Sequence, residues 1–182
     1  MPLVPFRVTL MRVLVGLSLG FPADATAQRL QLPPRPPDAL TGSAFSSSVE
    51  GLDLEAREPR IVEEILAGNV PESLRQLRTV RIEREHNTLV FWTLPDYLAI
   101  GSDDDLLRIP MTPQSAQRIA DALAMSLPTT AMVDAIWAQA DHQLVPVPIP
   151  PSPEMTRIPV FLRHSQSIDR QLRQSGVPRM HG

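Results

Sequence analysis

The sequence predicts an α+β fold: a small antiparallel meander of three to four strands packed by a helical hairpin, with proline-rich extended arms. Three observations carry this reading. Apolar and polar residues alternate from residue 80 onward, apolar spacing changes to three and four residues after Thr112, and the 20 prolines of the 182 residues concentrate outside these stretches. A period of two suits a half-buried strand and a period near 3.6 suits an amphipathic helix. The proline content is about twice the usual share of roughly 5%.

The strands come first. Val80 and Ile82 alternate with Arg81 and Glu83, His86-Asn87 supplies a turn, and residues 88–93 (TLVFWT) are β-branched and aromatic. Residues 97–100 and 106–111 are two further short strand segments, separated by the turn sequence Gly101-Ser102-Asp103-Asp104-Asp105. Thr112 then caps a helix with Pro113 at its first position. Ala116, Ile119, Ala120 and Leu123 form its apolar stripe, and Pro128 ends it. Thr129 or Thr130 caps the next helix, with Val133, Ile136, Trp137 and Ala140 on one face, completing the hairpin.

Two more helices flank this unit. Residues 58–69 place Ile61, Val62, Ile65 and Leu66 on one face, with Pro59 at the first helical position and Gly68-Asn69 as the stop. A short helical piece follows over residues 71–77. Residues 160–174 repeat the helical spacing with Phe161, His164, Ile168 and Leu172, before Gly176 and Pro178. Residues 144–159 (LVPVPIPPSPEMTRIP) suit neither a helix nor a central strand and read as an extended arm, with Val145, Val147 and Ile149 alternating.

The domain organisation follows. Residues 1–27 read as a secretory signal peptide: Arg7 and Arg12 supply positive charge, residues 13–21 (VLVGLSLGF) an apolar run too short to span a bilayer, and Ala25-Thr26-Ala27 a small-x-small cleavage pattern before Gln28. Residues 28–57 read as a proline- and serine-rich linker. Pro33, Pro34, Pro36 and Pro37 favour polyproline II, residues 46–48 are serines, and no core residue is expected between 28 and 48. Residues 58–175 form a single α+β domain and residues 176–182 a tail. This organisation predicts a periplasmic or secreted protein.

Charge and composition exclude several function classes. The formal net charge is -3 and all 17 basic residues are arginine, which argues against a general affinity for nucleic acid. Without cysteine there are no disulfides, thiol nucleophiles or thiolate metal sites. No phosphate-cradling glycine loop, HExxH, GxSxG or EF-hand spacing is present, and the reading assigns no cofactor. His86, His142, His164 and His181 lie far apart without metal-ligand spacing, and read first as surface or helix-edge residues.

The candidate site residues fall at corners and caps. Asp96 and Tyr97 follow Pro95 at a strand corner, where a polar pair could face a pocket or simply make the turn. Ser126 lies at a helix junction and would need a base such as His142 to act as a nucleophile. Thr129 begins a helix whose free N–H groups could hold an anion or oxyanion. Asp103, Asp104 and Asp105 are candidates for a hard cation, although a solvated turn is the simpler reading. Trp92 and Trp137 could stack on a ligand; their apolar neighbours favour core packing.

From Phe91 to Met155 the runs WTLPDYLAIGSDDDLLRIPMTP, SLPTTAMVDAIW and PVPIPPSPEM resemble a family of exported bacterial proteins with no established activity. The resemblance implies export and places the most distinctive residues around Asp96 to Asp105. Longer members continue into a region with further histidines, lysines and a tyrosine-serine-histidine-glycine run, so the chain is expected to be a short or truncated member. Two functions follow: an exported, non-catalytic domain binding an envelope component or a protein partner, or the N-terminal part of a secreted hydrolase. A fragment without a function of its own is a third.

Overall fold

A computed structural model describes residues 11–14, 28–85 and 87–176. The alternating stretch forms a hairpin of β2 (Arg78–Arg84) and β3 (Asn87–Thr93), in register from Arg78 opposite Thr93 to Arg84 opposite Asn87. Glu85 turns it with φ at 49°; His86 lies outside the described residues. β1 (Met11–Leu14) pairs antiparallel on the other side of β3, giving the order β1-β3-β2.

The fold is α+β, as the sequence predicts, with the strands grouped as two sheets. Leu94-Pro95-Asp96-Tyr97 interrupts the run, and β4 (Ala99–Gly101) and β5 (Leu106–Arg108) pair only with each other. Proline has no N–H to donate to a ladder, so a break at Pro95 is its ordinary place.

The helices divide between the two sheets. α1 (Gly42–Val49), α2 (Leu54–Leu66) and α5 (Ile158–Gln174) pack on β4 and β5, and α3 (Pro113–Ala122) joins the same core through α2. α4 (Thr130–Ala138) lies against β2 instead. The predicted hairpin of α3 and α4 is therefore split in its packing, because α3 seats on α2. Among the described residues no helix is long and apolar enough to cross a membrane.

The main core joins Phe45, Val49, Ile61, Ile65, Leu98, Ile100, Leu107, Ile119 and Ile158. A smaller cluster of Val80, Phe91 and Met132, with Ile82, Leu89, Ala135 and Ile136 packed on it, lies between the β2–β3 hairpin and α4. Trp92 leaves the opposite side of β3 and packs against the main core.

Four expectations are corrected. The proposed linker is built into the fold: Leu30 and Phe45 are buried, Arg29 bridges Gln76, and Thr41 caps α1 through its side chain. Arg35 ties the segment down with bonds to Asn69 Oδ1, at 3.0 Å, and to the carbonyl oxygens of Gly101 and Ala39. α2 begins at Leu54, not Glu58, because the Asp53 carboxylate accepts from the Ala56 N–H at 2.8 Å; Pro59 thus sits inside the helix. Residues 72–74 form one short 3-10 turn. Trp137 and Val133 are about half exposed, at 51% and 48%, because α4 turns Met132 and Ile136 toward the sheet.

The predicted α3 starts as read, with Thr112 as cap and Pro113 opening it, but ends at Ala122, ahead of Pro128, where Ala124 takes a positive φ of 50°. α5 begins two residues earlier than expected, at Ile158. The predicted extended arm over 144–159 is irregular only to residue 152, since Pro153–Thr156 form a 3-10 turn that leads into α5; Val145 and Val147 are exposed. Of the predicted signal peptide, residues 1–10 and 15–27 lie outside the described residues, as does the tail from 177.

Candidate binding cleft

Pro95 turns the chain at the end of β3, and the corner opens a cleft of about 720 Å³. Its walls come from β2, the end of β3, β5, the C-terminal end of α4 with the residues after it, and the last turns of α5. Five aspartates (Asp96, Asp103, Asp104, Asp141 and Asp169) and three arginines (Arg78, Arg108 and Arg173) line it, beside His142.

Arg108 organises the cleft floor. It is the last residue of β5, and its side chain is only 8% exposed. Nε and Nη2 donate to Asp96 Oδ2 at 2.8 and 2.6 Å, and Nη1 donates to Asp169 Oδ1 at 2.7 Å. Ser165 on α5 accepts at its Oγ from the Arg108 backbone N–H and from Nη1. Burial would lower the guanidinium pKa. The attraction and hydrogen bonds of Asp96, then of Asp169, outweigh it and hold the pKa above its ordinary value. The triad thus clamps the β3–β4 corner, β5 and α5 together. Breaking a buried ion pair from one side is costly because a charge is left behind.

Asp96 is doubly committed, since its Oδ1 also accepts from the Tyr97 backbone N–H at 2.7 Å. The three consecutive aspartates diverge. Asp103 Oδ1 accepts from the Ser73 N–H at 3.0 Å, Asp104 lines the cleft, and Asp105 turns away to accept at Oδ1 from the Ser43 N–H and hydroxyl at the start of α1. Its backbone oxygen accepts from Gly42 as well. Gly42 and Gly101 make this approach possible. A Cβ on Gly42 would meet Leu106 C at 2.5 Å, and Gly101 has φ +121° with Asp105 O against it. Among the described residues no three carboxylate or imidazole groups converge as a metal site would require.

Of the five candidate catalytic residues, the fold brings Asp96 and His142 to one cleft. Ser126 and Thr129 are exposed at the junction between α3 and α4 and do not line it; Thr129 makes no side-chain cap bond. Tyr97 is half-buried beside it. Among the described residues, no lining hydroxyl is hydrogen-bonded to His142. Thr93 lines the cleft while 2% exposed, and its Oγ1 has no hydrogen-bond partner.

Arg108, Asp169 and Ser165 escaped the sequence reading. Two signals pointed to them: an arginine between Leu107 and Ile109 inside an apolar run, and Asp169 as the single acid in a basic C-terminal stretch. No family model, curated protein or solved structure matches the chain.

Proposed function

We propose that the chain is an exported, non-catalytic α+β domain of the resembled bacterial family, and that its cleft binds a cationic segment of a protein partner or of an envelope component. One observation carries the reading: carboxylates outnumber guanidinium groups on both the floor and the rim of the cleft. On the floor Asp96 and Asp169 face the single Arg108, and on the rim Asp103, Asp104 and Asp141 stand against Arg78 and Arg173, an excess of one carboxylate in each. A concave site lined by one predominant sign of charge concentrates the opposite sign.

Calorimetric titration with an oligolysine peptide tests this. Saturable binding is expected, weakened about tenfold, or roughly 1.4 kcal/mol, by joint Asp103→Asn and Asp141→Asn substitution. Absence of binding contradicts the cationic assignment. Sequencing the N-terminus of the protein recovered from the periplasm or medium tests export, with Gln28 expected first.

The second reading, the N-terminal part of a secreted hydrolase, is favoured by Asp96 and His142 sharing the cleft. It requires His142→Ala to abolish an activity while leaving the unfolding midpoint unchanged. The commitment of Asp96 to Arg108 and to the Tyr97 N–H weighs against it as a free base.

A further inference from the structure

β3 is a central strand only because residues Met11–Leu14 cover its outer edge. They pair antiparallel, Met11 opposite Thr93 and Leu14 opposite Val90, and leave Asn87 to Leu89 beyond the end of the ladder. The covering strand lies within the segment whose removal the export reading expects. We propose that cutting the chain after Ala27 uncovers the β3 edge, and that a second copy docks there, β3 against β3.

The edge has the properties of a pairing surface. Residues 88–93 (TLVFWT) are β-branched, aliphatic and aromatic, without a charge or a proline. Natural edge strands usually carry lysine, proline or a bulge that prevents pairing; this strand relies on a cover. The backbone already accepts an antiparallel partner on this side. Two β3 strands related by a two-fold axis are antiparallel by symmetry, so the edge is complementary to itself. The alternative strands are committed, because β4 and β5 pair with each other inside the main core. Uncovering β3 leaves the β2–β3 pair held by α4 and by the contact of Trp92 with the main core, and a β2-β3-β3-β2 sheet of four strands restores the lost ladder. The cut that removes one partner strand from β3 therefore makes room for another.

The inference rests on the export reading for the cut itself, and the two separate experimentally. A specific protease sequence is placed between Ala27 and Gln28 of the full chain, which is folded, cut and freed of the released peptide. Sedimentation velocity before and after cutting is expected to show a monomer becoming a dimer. Val90→Lys, which puts like charges in the middle of the shared sheet, should weaken the dimer by at least about tenfold. Thr88→Lys, at an exposed position, should weaken it in the same direction without a fall in the unfolding midpoint. An unchanged mass after cutting, open-ended aggregation, or a dimer insensitive to both lysines overturns the proposal. A protein found to retain residues 1–27 contradicts the expected cleavage after Ala27 and leaves the result on the cut chain intact.

Discussion

The two sheets contrast in length and in depth. β4 has three residues, all of them buried, and is packed by α1 and α2, while β5 meets α1 and α5. β2 has seven residues, of which one, Val80, is buried, and its helix cover is α4. Stability in such a molecule follows the apolar surface removed from water, not the number of ladder bonds. The short inner hairpin anchors the fold, and the long outer one is held by β1, α4 and the contact of Trp92 with the main core.

The same side chain can be removed from each region. Phe45 and Phe91 are both fully buried, one in each cluster. Phe45→Ala should cost about 4 kcal/mol in urea unfolding, since helices and sheet fix the cavity it leaves. That loss would also contradict any view of residues 28–57 as a passive linker. Asp169→Ala should cost about 2 kcal/mol, because Nη1 of the buried Arg108 loses its charged acceptor while Asp96 still pairs the guanidinium. The sign of the pH dependence is set by the raised Arg108 pKa. Its contribution is complete below the unfolded arginine pKa and is lost only as pH rises through the higher folded value, so Arg108 adds no slope between neutral pH and about pH 11.

Phe91→Ala should cost less than Phe45→Ala, about 2 kcal/mol, as the outer hairpin can open locally and shed part of the strain. Trp137→Ala should change stability by less than about 0.5 kcal/mol, since half of the side chain is exposed. Equal losses for the two phenylalanines would erase the distinction between the regions.

The contrast also explains what was legible. Alternation marks strands with one wet face, so β2 and β3 stood out while β4 and β5, buried throughout or nearly so, showed only as short apolar runs. α3 announced itself through Thr112 and Pro113. α1 did not, because three of its eight residues are consecutive serines and its burial rests mainly on Phe45 and Val49. The half-exposure of Trp137 was hidden for a different reason: apolar spacing says which residues share a face, and the tertiary contacts of α4 decide which face is covered. In the cleft, Asp96 was legible as a corner residue. Its partner Arg108 lies 12 positions away and Asp169 lies 61 from Arg108, a juxtaposition only the fold supplies.

The most direct test is amide hydrogen exchange on the full chain. The N–H groups of β4, β5 and α2 should exchange only through global unfolding, with opening free energies equal to that measured in urea. Those of β2 and β3 should exchange through a local opening of lower free energy and lower denaturant sensitivity. Uniform protection across both hairpins would contradict the account and make the molecule one cooperative unit.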